Sequence, residues 1–267
     1  MRNKIFREEF SYFLDKFKSK NNFNLLRFSD GEMFILQNKE IILKSETIKV
    51  QDVVESKDGW YSDNNIPRPD YDQKHFHPIK HSLFRDSLVN SFLYNSSNFY
   101  RGISCKCCVG DISWDWQMKN LDGDSDTLTW SNLFLNSNYP LFLKEFYPEI
   151  IKRKAYFIGN EQAKTSSLPW VKKHFKVGVD IFSNYQKYID EVKSFISENN
   201  VNNEVFLFSA SSLSNVMQYE LHKSFPNNTY IDIGTTLSHE FGIPVLRGYI
   251  HDTFNNNLNN LQTCTWN

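Results

Sequence analysis

The chain has 267 residues, enough for one large α/β domain or two small ones, and a single domain over 1–267 is the expectation. Thirty Lys and Arg stand against 31 Asp and Glu, a formal net charge of −1. That balance excludes the overall basic excess with which a dedicated nucleic-acid binder displaces counterions from phosphates.

The opening "MRNKIFREEFSYFLDKFKSK" alternates charge with aromatics where a secretory leader has an unbroken apolar stretch. Nowhere does the sequence approach the roughly 18 apolar residues of a membrane span, so a cytoplasmic protein is expected, free or resting on the inner face of the membrane. Within that opening, Ile5, Phe6, Phe10, Phe13, Leu14 and Phe17 recur three or four apart, the spacing of an amphipathic helix over 4–20. "FNLLRFS" then reads as a short buried strand, and "SDGE" as the start of a helical turn through Met33 and Leu36, with Ser29 or Asp30 as its N-cap. Residues 56–78 crowd Pro, Asp, Asn and aromatics without a period, which predicts a long flexible loop, a candidate lid. Helix signals resume over 79–94, followed by a strand at "YRGISC", an irregular Trp-bearing stretch "GDISWDW", and a helical pair over 127–153. The remainder alternates strand and helix. Strands are expected at "KAYFIGNE", "FKVGVDIF", "EVFLFSASS" and "TYIDIG", with helices over 185–199 and at "LSNVMQYELHKSF". Strands separated by helices of this length predict an α/β fold with a mostly parallel sheet covered on both faces, because each parallel connection needs a crossover.

Four cysteines are present: Cys105, Cys107 and Cys108 in "CKCC", and Cys264 far along the chain. Structural zinc sites usually space their first ligand pair two to four residues apart and supply a second pair, so this spacing predicts reduced structural thiols in preference to zinc or a disulfide.

In parallel sheets ligands gather beyond the carboxyl ends of the strands. "RFSDGE", "IGNE", "FSASS" and "IDIG" would all lie there. Asp30 and Glu32, two positions apart around Gly31, can face one divalent cation whose other ligands are phosphate oxygens, with Arg27 adding positive charge. The same residues also suit a plain turn and cap: D-G is a common turn dipeptide, and the helix dipole favours Glu32 in a first turn. Ser209, Ser211 and Ser212 end a strand ahead of a helix, whose N–H groups can take up phosphate or simply be capped. No GxGxxG and no P-loop lysine occurs, so dinucleotide oxidoreductases and P-loop NTPases lack their usual evidence. Asn160 and Glu161 follow another apolar run. Glu161, Asp232, His239 and Glu240 are candidates for a general base. Asn132, Asn136 and Asn138 are candidates for hydrogen bonds to a sugar or base, and Trp60, Trp114, Trp116 and Trp130 for stacking on a sugar, with core packing the commoner fate of tryptophan.

"LLRFSDGE", "TLTWSNLFLNSNYPLF", "YFIGNE" and "NTYIDIGTTLSHEFG" together resemble the bacterial glycosyltransferases of the GT-D fold, a family first described as a domain of unknown function; the resemblance runs from Phe10 to Gly242. It implies a Rossmann-like core and a D-x-E metal motif, matched here by Asp30 and Glu32, with Arg27 ahead of it. Ser29 stands where the family commonly has glycine, and "DIGTTLSHE" lacks the D-I-G-H continuation. On this resemblance, the expected protein is a hexosyltransferase dependent on Mn²⁺ or Mg²⁺. It would move a sugar from a nucleotide donor, UDP-linked, to a glycan or glycoprotein acceptor in bacterial surface polysaccharide or glycoprotein biosynthesis. Glu32 joins Glu161, Asp232, His239 and Glu240 as its catalytic candidates; Arg27, Ser29, Asp30, Gly31, Asn132, Asn136, Asn160, Ser209, Ser211 and Ser212 are its donor-binding candidates. A metal-dependent phosphoesterase or nucleotide hydrolase, and a non-catalytic nucleotide- or glycan-binding protein, are the alternative readings.

Overall fold

The computed structural model describes residues 4–44, 47–51, 61–63, 73–121, 125–244 and 247–266. Helix α1 (Phe6–Lys18) buries Phe6, Phe10, Phe13, Leu14 and Phe17 on one stripe, as their spacing requires. Strand β1 (Asn24–Arg27) and helix α2 (Asp30–Leu36) follow it. The chain then makes β2 (Glu40–Leu43), β3 (Thr47–Gln51), β4 (Tyr61–Asp63) and β5 (Lys74–Phe76), a small antiparallel sheet in the order β4-β3-β2-β5. Next come α3 (Ser82–Leu93), β6 (Phe99–Ile103), α4 (Lys106–Asn120) and β7 (Leu128–Trp130). A short α5 (Tyr139–Leu141), a π-turn over Phe142–Phe146 and α6 (Tyr147–Arg153) lead to β8 (Ala155–Asn160) and β9 (Val171–Val177). The chain continues through α7 (Ile181–Glu198), β10 (Val205–Ser209), α8 (Leu213–Ser224), β11 (Thr229–Asp232) and α9 (Gly248–Phe254).

Seven strands form the main sheet in the order β7-β6-β1-β11-β10-β8-β9, with every adjacent pair parallel. Side chains alternate between its faces with the period of two that a strand imposes. Leu26, Ile158, Phe206, Phe208 and Tyr230 point to the face covered by α2, α3, α7 and α8. Leu25, Phe157, Leu207 and Ile231 point to the face covered by α1, the Tyr139–Arg153 helical run and α9. Both faces are therefore apolar, which is why the central strands read as nearly continuous hydrophobic runs. No helix among the described residues is long and apolar enough to cross a membrane.

Several local expectations need correction. "GDISWDW" is helical, inside α4, whose buried side chains are only Trp114 and Gln117, so its apolar period is faint. Leu128–Trp130 is an outer strand and not part of a helix. The strand expected at 175–182 is β9, which ends at Val177, and the helix expected from 185 starts at Ile181 with Asp180 accepting the Ser183 N–H. Much of the loop expected over 56–78 lies outside the described residues, but 61–63 and 74–76 within it are strands.

Candidate functional site

Parallel strands all present their carboxyl ends on one edge, and ligands favour the point where successive connections diverge to opposite sides. Here that point is the seam between β1 and β11. From β1 the chain goes to β6 and β7 on one side, and it returns through β8, β9 and β10 on the other before closing with β11. Arg27, Asp30 and Glu32 leave β1 at this seam, and Asp232 ends β11 beside it.

Glu32 is buried, 8% exposed, and its Oε2 accepts the Ser29 N–H at 3.0 Å, the return half of a capping box on α2. The cap reading of this segment is thus realised. Burial raises the Glu32 pKa above the usual carboxylate value; the Ser29 N–H and Lys74 oppose the shift, and Asp30 adds to it. Asp30 is exposed, and its Oδ1 accepts the Gly31 N–H at 3.0 Å.

Asp232 is also buried, and its pKa is pushed up to about 7 by desolvation, with Glu32 adding to the rise and Arg27 and the Gly234 N–H working against it. Its Oδ1 accepts that N–H at 2.8 Å and stands 3.9 Å from Arg27 Nη1. Arg27 reaches this place by donating from Nε to the Ser131 carbonyl, and its path requires the glycine at 234. Gly234 has φ +50°, and a Cβ there would fall within bonding distance of Arg27 Nη1. The "IDIG" motif therefore supplies both the carboxylate and the space for the guanidinium.

A third element joins them. Ser211, in the left-handed region with φ 51°, begins the turn into α8, and its Oγ accepts from Lys74 Nζ at 3.0 Å. Ser212 Oγ is buried with no hydrogen-bond partner, and Ser209 closes β10. Lys74 brings a cation from the small antiparallel sheet to the main site. Nothing in sequence pointed to it, because its position depends on pairing of β5 with β2, more than thirty residues earlier.

Other expected site residues sit elsewhere. Asn160 forms a local turn, its Oδ1 accepting the Gln162 N–H at 2.8 Å, and Glu161 is exposed beside Gly178 at the β8–β9 side of the sheet. His239 is exposed and packs on Phe254, and Glu240 accepts a hydrogen bond from Tyr147 at 3.3 Å. Asn132 and Asn136 donate to cysteine sulfurs, and Asn138 to the carbonyls of Phe6 and Leu133. Trp114 and Trp130 are core residues that share Trp266 as a neighbour, Trp116 packs on Phe92, and Trp60 lies outside the described residues. The four cysteines converge, contrary to the separation suggested by their numbering.

The carboxylates of Asp30 and Glu32 are hard oxygen donors, and each has a second oxygen outside the bonds described above. Among the described residues no third carboxylate or imidazole lies close enough to join them on one ion. Such a pair suits a Mg²⁺- or Mn²⁺-like cation that completes its shell with phosphate oxygens and water. Glu32 and Asp232 owe their raised pKa values first to burial, and Lys74 and Arg27 respectively oppose the shifts.

The chain's fold is similar to that of a glycosyltransferase, domain of unknown function 1792, from Streptococcus sanguinis. The match has a TM-score of 0.51 at 13% identity and covers 88% of this chain and 84% of that one. A second solved domain of unknown function 1792, described as having a distinct glycosyltransferase fold, aligns at a TM-score of 0.46 with 12% identity over 86% of this chain and 79% of that one. The resemblance read from the sequence motifs and the similarity of the folds thus point to the same group of structures. No family model matches the chain, and no curated protein matches it at a significant level.

Proposed function

We propose that the chain is a glycosyltransferase that uses a nucleotide-sugar donor, UDP-linked, with a divalent cation held by Asp30 and Glu32. The observation that carries this reading is the meeting of Glu32, Asp232, Arg27 and Lys74 at the β1–β11 seam of a sheet similar to that of a solved glycosyltransferase. When bound, the cation neutralises charge on the departing diphosphate. Arg27 and Lys74 add positive charge at the same place, and that of Arg27, largely buried, acts more strongly than in water. Of the first N–H groups of α8, that of Ser214 is taken by the Ser211 carbonyl at 2.9 Å, which leaves those of Leu213 and Asn215 to receive phosphate oxygens. Asp232 is the best placed general base: a carboxyl with a pKa of about 7 is half-ionised near neutrality and accepts a proton from an acceptor hydroxyl without strong bias. The acceptor in this reading is a glycan or glycoprotein of the bacterial surface, and the protein works in the cytoplasm or on the inner membrane face.

Calorimetric titration with UDP-, GDP- and CMP-sugars, each with and without Mn²⁺, tests the proposal. An intact nucleotide sugar should bind more tightly than a phosphomonoester, and only with the metal. Preference for a phosphomonoester together with its hydrolysis would replace transfer by phosphoesterase chemistry, and metal-independent binding would remove the role given to Asp30 and Glu32.

A further inference from the structure

Away from the carboxylates, the Sγ atoms of Cys105, Cys107, Cys108 and Cys264 lie within 4.8 Å of one another. Three come from one tight turn. Cys105 caps α4, and its carbonyl accepts the Cys108 and Val109 N–H groups at 3.0 and 3.2 Å. Gly110, at φ 75°, then breaks the helix, so this turn is oriented apart from the rest of α4 and gathers its thiols at one point. Cys264 arrives from the far end of the chain. The Ser137 N–H donates to the Gln262 carbonyl at 3.0 Å, and Trp266 packs between Trp114 and Trp130 at centroid distances of 5.3 and 5.0 Å.

The sulfur separations are the first clue to what this cluster does. A zinc–thiolate bond of about 2.3 Å in a tetrahedron places its sulfurs about 3.8 Å apart. The measured Cys105–Cys107 and Cys108–Cys264 distances, 3.2 and 3.9 Å, stand on either side of that value. They are too long for a disulfide, whose sulfurs lie about 2.05 Å apart, and the group is too compact for a polynuclear iron–sulfur cluster. The second clue is what surrounds the sulfurs. Asn132, 8% exposed, aims its amide at three of them: Nδ2 is 2.8 Å from Cys264, 3.5 Å from Cys108 and 3.7 Å from Cys105, while its Oδ1 is buried without a partner. Asn136, strained at φ 52°, donates to Cys264 from 3.4 Å. Amide donors converging on sulfur are the outer-shell partners that thiolate ligands of a metal use.

We infer that Cys105, Cys107, Cys108 and Cys264 form a structural tetrathiolate zinc site that clips the C-terminal segment to the start of α4. Each thiol loses its proton to solvent as its sulfur bonds to Zn²⁺, leaving a complex of net charge −2 that the Asn132 and Asn136 amides moderate. This site is independent of the proposed transferase chemistry. It uses soft sulfur ligands, whereas the carboxylate site calls for a hard cation.

The test uses the reduced, metal-stripped full chain titrated with Co²⁺ and then Zn²⁺. One equivalent of Co²⁺ should produce the intense ligand-field and sulfur charge-transfer bands of a tetrahedral thiolate complex, and one equivalent of Zn²⁺ should erase them. Zinc loading should also protect all four thiols from alkylation, counted by mass spectrometry, and slow amide hydrogen exchange over 255–266. Cys264→Ala should lower the Co²⁺ affinity at least tenfold while circular dichroism shows the folded chain. No stoichiometric Co²⁺ spectrum from the folded, reduced wild type, a Cys264→Ala variant binding as tightly as wild type, or a native mass two hydrogens light from a disulfide would each overturn the assignment.

Discussion

Asp232→Asn should make the protein more stable at alkaline pH and leave it nearly unchanged in acid. The Asp232 carboxyl has an ordinary value of 3.8 and is pushed up to about 7 in the fold, because burial disfavours its charge more than Arg27 favours it. Between those values the folded state holds the proton more tightly than the unfolded chain does. Stability linked to this group is therefore fully present below the lower value and is lost as pH rises through the higher one. At 1.36 kcal/mol per tenfold, the gap corresponds to about 4 kcal/mol of destabilisation in the ionised protein. Asparagine keeps the shape and can still accept the Gly234 N–H, but it leaves Arg27 without a counter-charge. The attraction of Arg27 is already contained in the folded value of about 7, so the gap is the net effect of losing the charge. A net stabilisation of up to about 4 kcal/mol is expected at a pH of about 8, shrinking toward zero at about 4. Urea denaturation followed by tryptophan fluorescence at both pH values measures it. An Asp232→Asn midpoint below wild type in the alkaline sample, or an equal offset at both pH values, would refute the claim that this carboxylate is ionised at a cost to the fold.

Two further substitutions separate structural from functional roles at the seam. Gly234→Ala forces a left-handed conformation costing about 1–2 kcal/mol and displaces the Arg27 guanidinium. Nucleotide binding should weaken at least about tenfold, from the loss of one charge-assisted contact worth about 1.5–3 kcal/mol; wild-type affinity by calorimetry would mean that Arg27 does not touch the donor. Glu32→Gln preserves an acceptor for the Ser29 N–H, so the melting temperature should hold or rise. Sugar transfer in the presence of Mn²⁺ should nevertheless fall by at least about 100-fold, and a variant that stays active would reduce Glu32 to its capping role.

The central strands were legible because both faces of a parallel sheet are buried. "NLLR", "VFLFS" and "TYID" needed only local hydrophobicity to be recognised. Outer strands were harder: Leu128–Trp130 is three residues long and runs into aromatic helical sequence, and β9 interleaves Lys172, Lys173 and Lys176 with its apolar residues. The antiparallel sheet went unread because β2 pairs with β5 across an intervening excursion that no local period records. In the candidate site, Arg27, Asp30, Glu32 and Asp232 were recognisable as polar residues at the ends of apolar runs. Lys74 and the thiol cluster were not, since each is assembled by contacts spanning long separations, as with Cys108 and Cys264. Asn132 and Asn136 show the converse: residue type suggested sugar contacts, and the fold turned both amides toward sulfur.

The strand order carries a consequence for how the molecule is assembled. β11, the last strand among the described residues, lies between β1 and β10 near the middle of the sheet, so the backbone ladders β7-β6-β1 and β10-β8-β9 are not joined until it slots in. A nascent chain emerging from the ribosome cannot form the continuous sheet before Thr229–Asp232 is available, and such late, non-local pairing is intrinsically slow. Asp232 is the terminal residue of that closing strand. The candidate site is thus completed by the same event that completes the sheet: until then the Asp30–Glu32 turn lacks the Asp232 carboxylate beside Arg27.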